Sequence, residues 1–194
     1  MASRAAIGFS VHTGWAASVV VEGPPGNPRL LDRRRVRLAE SDDTLQAEVY
    51  HRAAEMTGAA AAKFVRAAEA AAARRAEEAL RALLEGRGLV TAALLTGAAK
   101  LPADLAGILR SHPLIHTAEG VFYREALAGA AEKCGLAVVR IPRRELQDRF
   151  ASALRMDDGK ARELLKAMGQ EAGPPWARDQ KDGAMAALVA LGRR

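Results

Sequence analysis

Apolar and polar positions follow two successive rhythms along this chain. Residues 5–10 form a short apolar run, and residues 15–22 form a second one in which Val19, Val20 and Val21 supply β-branched bulk. Both runs read as buried strands, too short for helices and bounded by turn residues. His12, Thr13 and Gly14 make the turn between them, and the Gly- and Pro-rich stretch 23–28 is a loop. Residues 29–38 then alternate, with Arg33, Arg35 and Arg37 on one parity and Val36 and Leu38 on the other. That is a half-exposed strand at a sheet edge, where arginines discourage further pairing. The opening is therefore a three-stranded antiparallel meander.

The rhythm then changes. Ser41, Asp42, Asp43 and Thr44 are helix-capping types, and residues 45–85 carry almost no breaker except Gly58. A long helix is expected over 45–85, kinked or split near Thr57 and Gly58. Its apolar stripe is too alanine-rich and irregular for a sustained heptad. After Gly86 and Gly88, residues 89–95 read as a buried strand, 101–110 as a short helix, 117–133 as a helix begun by Thr117, and 136–141 as a fifth strand. Helices over 144–154 and 157–168 follow. Pro174, Pro175 and Trp176 stop the chain before a small apolar tail helix. The order β-β-β-α-β-α-β-α predicts an α/β fold with a mixed five-stranded sheet, arranged as a single domain over residues 1–194.

Composition narrows the function classes. The formal net charge is +6 and aromatics are only 4% of the residues. A basic excess suits contact with a polyanion, although alanine- and arginine-rich chains of high-GC bacterial genomes share it. The candidate nucleic-acid contacts are the edge arginines Arg33, Arg35 and Arg37, with Trp176 as a stacking residue. Arginines on an edge strand are also ordinary solvated residues, and Trp176 also reads as a plug anchoring the last helix. Cys134 is the single cysteine, which excludes an internal disulfide and a Cys-x-x-Cys metal site. No long uncharged apolar run is present, so a cytoplasmic, soluble protein with no membrane partner is expected. The long alanine-rich helix is the expected contact of a homodimer.

Candidate chemistry gathers in two places. Asp179 and Asp182 are spaced i,i+3 at the start of the tail helix, so they share a face and oppose the positive end of the helix dipole. They suit a divalent cation, and they equally suit helix capping. The second place is 111–120, which holds His112, His116 and Glu119. His116 and Glu119 share a helical face if the helix has begun there. Together they suit Zn²⁺ or Mn²⁺, or a general base with an orienting acid. The alternative makes Thr117 a cap and His116 a packed polar residue.

Ile7, Gly8, Phe9 and Ser10, then a Thr-Gly turn and a Val-rich second strand, resemble the opening of RuvC-type Holliday-junction resolvases in the ribonuclease H-like superfamily. Asp179 to Ala186 resembles the closing acidic motif of that family, and the element order agrees over nearly the whole chain. The resemblance implies two-metal phosphodiester hydrolysis with Mg²⁺ or Mn²⁺, acting on structured nucleic acid. Carried over, the last-helix acids fall on Asp179 and Asp182. The first-strand acid falls on Ser10, and the fourth-strand acid falls near Thr96 and Gly97, none of which is acidic. Two readings follow. One is a metal-dependent nuclease with Asp179, Asp182 and Glu119 as metal ligands and His116 or His12 assisting catalysis. The other is a nucleic-acid-binding or protein-interaction module that has lost the active-site acids.

Overall fold

The computed structural model describes residues 4–40, 47–97 and 100–192. Five strands form one sheet: β1 (Ala5–His12), β2 (Trp15–Glu22), β3 (Arg29–Arg37), β4 (Leu89–Thr96) and β5 (Ala137–Pro142). Their spatial order is β3-β2-β1-β4-β5. The β1–β2 and β2–β3 pairs are antiparallel, whereas β1–β4 and β4–β5 are parallel. This is the mixed sheet that the sequence pattern predicts. The two-residue turn at Thr13 and Gly14 sets the first hairpin, and Gly14 takes a φ of +81°, where a side chain is strained.

Seven helices are seen among the described residues: α1 (Val49–Ala54), α2 (Gly58–Leu84), α3 (Leu105–Leu109), α4 (His112–Lys133), α5 (Leu146–Leu154), α6 (Asp158–Ala172) and α7 (Arg178–Gly192). The long helical stretch is split, because Thr57 is extended (ψ 152°) and Gly58 opens a new helix. The expected caps at residues 41–44, and helical residues 45 and 46, lie outside the described residues.

The sheet separates two apolar layers. On one face Ile7, Phe9 and Leu94 pack with Val65, Leu80 and Leu83 of α2 and with Phe122 and Leu127 of α4. On the other face Val19, Ala93 and Leu95 pack with Phe150 of α5, Met168 of α6 and Leu188 of α7. Strand alternation makes this division, since β1 and β4 send successive side chains to opposite faces. The apolar stripe of α2 is thereby committed to α4 and the sheet.

Two helix starts bear on the candidate residues. Helix α4 begins at His112 behind an extended Ser111, five residues before the expected cap. Pro113 fits that first turn because its missing N–H would have no helical partner there. Thr117 donates its hydroxyl to the Pro113 carbonyl (2.9 Å) and caps nothing. Helix α7 begins at Arg178, so Asp179 and Asp182 lie within its first two turns, as the sequence expects. Neither acid is the cap, because the Gln180 Oε1 accepts the Ala177 N–H at 3.0 Å and does that work.

Helix α7 lies close against β1. A Cβ placed on Gly8 would sit 2.0 Å from the Gly183 carbonyl oxygen and 2.6 Å from the Ala187 nitrogen. Only glycine permits this approach, and the approach brings the first turn of α7 to the end of β1. Among the described residues no helix is long and apolar enough to cross a membrane.

Candidate functional site

Ser10 is two residues beyond Gly8 on β1, so its side chain faces α7. It is fully buried. Its hydroxyl donates to the Asp179 Oδ1 at 3.0 Å, and the His12 Nε2 lies 2.7 Å from the same oxygen. His12 stacks on Trp15 with ring centroids 4.4 Å apart and planes 10° apart, and the Arg35 guanidinium lies 4.2 Å from the Trp15 centroid. Partial burial pushes the Asp179 carboxyl up, but hydrogen bonds from His12 and Ser10 and the charges of His12 and Arg143 outweigh it. The group is held below the usual carboxylate range.

Asp182, one turn further on, is nearly buried. Its Oδ2 pairs with the Arg143 guanidinium, and the Arg178 Nε stands 3.9 Å away. Arg143 arrives from the short 3₁₀ turn that follows β5. The acid, both arginines, Lys181 and Arg162 line a cleft bounded by α5, α6 and α7.

These residues do not fit a pair of Mg²⁺ or Mn²⁺ ions. Hard dications need several anionic oxygens free to converge. Ser10 offers a neutral hydroxyl that is already donating, Asp179 is engaged by two partners, and Asp182 faces a guanidinium. Thr96 supplies no charge. Its parity on β4 is that of Leu94, so it faces the α4 side, and it lines a cleft there with His116, Thr117 and Arg124.

Glu119 does not join Asp179 and Asp182. Residues of α4 such as Phe122 pack on one face of the sheet and those of α7 pack on the other, so the sheet lies between them. Glu119 is buried, and its Oε1 accepts the backbone N–H of Tyr50 (2.5 Å) and of His51 (3.3 Å). It thus satisfies the opening amides of α1. Burial pushes its carboxyl above the usual range, and the amide hydrogen bonds only partly offset that. His116 is exposed on the same helix, beside His112 and His51. The ring centroids are 4.4 Å apart for His112–His116, 4.7 Å for His51–His116 and 5.5 Å for His51–His112.

The expected nucleic-acid contacts are distributed differently. Arg33 donates to the carbonyls of Ala172, Gly173, Pro174 and Pro175, so it fastens the loop before α7. Trp176 donates its Nε1–H to the Leu165 carbonyl at 3.0 Å, and its ring lies against Gly169, so it packs α7 to α6. Arg35 lies over Trp15, and exposed Arg37 is the strand partner of Trp15. The sequence reading passed over His51 and the pairing of Arg143 with Asp182. His51 lies far from His112 in sequence and no spacing connects them, whereas the i,i+4 pair His112 and His116 was legible as one helix face once the helix start was known.

The three-then-alternating strand order and the helix crossing Gly8 define a ribonuclease H-like fold. The chain has the fold of RuvC. RuvC of Thermus thermophilus in complex with a Holliday junction substrate matches over 95% of this chain and 91% of its own, with 12% identity and a TM-score of 0.53. A second Thermus thermophilus RuvC structure matches over 96% and 93%, with 12% identity and a TM-score of 0.52. No protein-family model matches the sequence, and no curated protein matches it.

Proposed function

We propose that this chain binds nucleic acid at the end of the sheet where β5 runs into the first turns of α7, and does not cut it by two-metal hydrolysis. The observation that carries this reading is the pairing of Asp182 with Arg143, at the place where the resemblance asks for a metal ligand. Cations crowd around the acid that the resemblance expects to hold metal. Arg143 and Arg144 follow β5, and Arg178 and Lys181 open α7, with the side chains of Arg144 and Arg178 77% and 82% exposed. Such groups bind phosphates without reading sequence. The similar RuvC was solved with a Holliday junction, which supports a branched duplex as ligand. Residues 1–194 act as one domain, since both helical layers are built on one sheet.

The test is fluorescence anisotropy with a labelled four-way junction and a linear duplex across a salt series, in parallel with a cleavage assay in Mg²⁺ or Mn²⁺. Binding should weaken with salt. Replacing Arg144, Arg178 and Lys181 with serine should flatten the log–log slope by up to about 2.7, at about 0.9 per phosphate contact. Metal-dependent cleavage that Asp182→Asn abolishes would establish the nuclease reading in its place. An unchanged slope in the triple variant would remove this surface as the interface.

A further inference from the structure

We propose that His51, His112 and His116 bind one divalent transition-metal ion of the Zn²⁺ class. One ring nitrogen from each lies within 4.8 Å of the others. Tetrahedral zinc with imidazole ligands at about 2.0–2.1 Å holds the nitrogens roughly 3.3 Å apart. The difference is within reach of rotamer adjustment, because His112 and His116 are exposed. They stand one turn apart on α4, the spacing that places two imidazoles on one helix face.

His51 is the fixed member. Glu119 accepts two amides of the α1 first turn, including that of His51 itself, so α1 is set against α4 and the ring is delivered to the other two. The polar atoms behind His51 are unsatisfied. Its Nδ1 is buried without a hydrogen bond, and so is the second carboxylate oxygen of Glu119. The Nδ1 stands 3.6 Å from the Glu119 Oε1 and 3.9 Å from the Glu48 Oε2. Ligation through Nε2 makes Nδ1 the protonated nitrogen, aimed at those carboxylates. That is the carboxylate–histidine–metal arrangement which fixes tautomer and orientation. A small shift of the ring brings the pair into hydrogen-bond range.

Three imidazoles select Zn²⁺, Co²⁺, Ni²⁺ or Cu²⁺ over Mg²⁺ and Ca²⁺. Because His112 and His116 face solvent, the fourth position is open to water or to an exogenous ligand. This centre lies on the opposite face of the sheet from Asp179 and Asp182, and it does not rest on the nucleic-acid reading.

Co²⁺ and Zn²⁺ titrations of the untagged, metal-stripped full chain test the site. Visible absorption of Co²⁺ should saturate at one equivalent with the intensity of a four-coordinate ion, and Zn²⁺ should displace it. The band should vanish in the His112→Ala, His116→Ala double variant and persist in the Asp179→Asn, Asp182→Asn double variant. Should the histidine double variant lose its circular dichroism, His116→Gln alone should weaken Co²⁺ binding roughly tenfold or more, at least as much as loss of a residue that only supports a ligand. Absence of both the Co²⁺ band and Zn²⁺ heat in the wild type would overturn the site. So would unchanged affinity in a folded histidine variant, or loss of binding in an aspartate variant that keeps its circular dichroism.

Discussion

Asp179 is a carboxylate whose ionised form is held by neighbours, and that has a pH consequence. Its folded pKa is depressed below the unfolded value, which is about 3.9 for an ordinary aspartate. The contribution to stability is therefore fully present above about pH 4 and is lost as the pH falls through the lower folded value. Asp179→Asn should be less stable than wild type at neutral pH, and the difference should shrink on acidification. Urea denaturation of both proteins across the acidic range measures this. Parallel curves would mean that His12 and Ser10 do not favour the charged form. At the same scale, Glu119 behaves oppositely. Desolvation dominates there and the carboxyl rises, because its partners are neutral amides and a histidine that stands too far off for a hydrogen bond.

At the scale of elements, the approach of α7 to β1 through Gly8 places the whole acidic turn. Gly8→Ala would drive a methyl into the backbone of Gly183 and Ala187, which are fixed by helix hydrogen bonds and cannot rotate away. A cost of about 1–3 kcal/mol is expected, typical of overpacking. Gly183→Ala should cost less, since its added carbon would meet the Gly8 carbonyl oxygen at 3.2 Å and a Val19 methyl at 3.3 Å. Denaturation midpoints of the two variants give the order, and a Gly183→Ala variant less stable than Gly8→Ala would contradict the packing described. Arg33 acts at this scale too. By gathering four carbonyls it orders the chain between α6 and α7.

Over the whole molecule, β1 is the central strand and is covered by helices on both faces, whereas β3 is an edge. Interior amides of β1 should exchange with solvent only through global unfolding, while β3 amides on the unpaired side open locally. Native-state hydrogen exchange followed against denaturant should show β1 merging with the global isotherm and β3 staying below it. Equal protection of the two strands would mean that the edge is covered by a partner, for instance a second copy of the chain.

The five strands, their order along the chain, the antiparallel opening and the place near Thr57 and Gly58 where the long helix breaks were legible in the sequence, while the structure decided that it splits there and does not merely kink. They follow from local properties: β-branched runs, Gly and Pro punctuation, and alternation in residues 29–38. The likeness of both chain ends to RuvC was legible because Ile7–Gly8–Phe9–Ser10 and the Asp179–Asp182 pair are short contiguous motifs. What surrounds those motifs was decided by the tertiary structure. Arg143 reaches Asp182 only because β5 ends beside the first turn of α7, and Arg33 is spent on a loop about 140 residues away in the chain. Glu119 and Asp182 look alike as exposed-type acids in sequence, yet the sheet puts them on opposite faces, because strand and helix order assign α4 and α7 to different layers. His51 meets His112 and His116 through the docking of a six-residue helix by one buried carboxylate. Residues brought together from separate elements leave no spacing to read, since their distance in space is set by packing and not by the period of any one helix or strand.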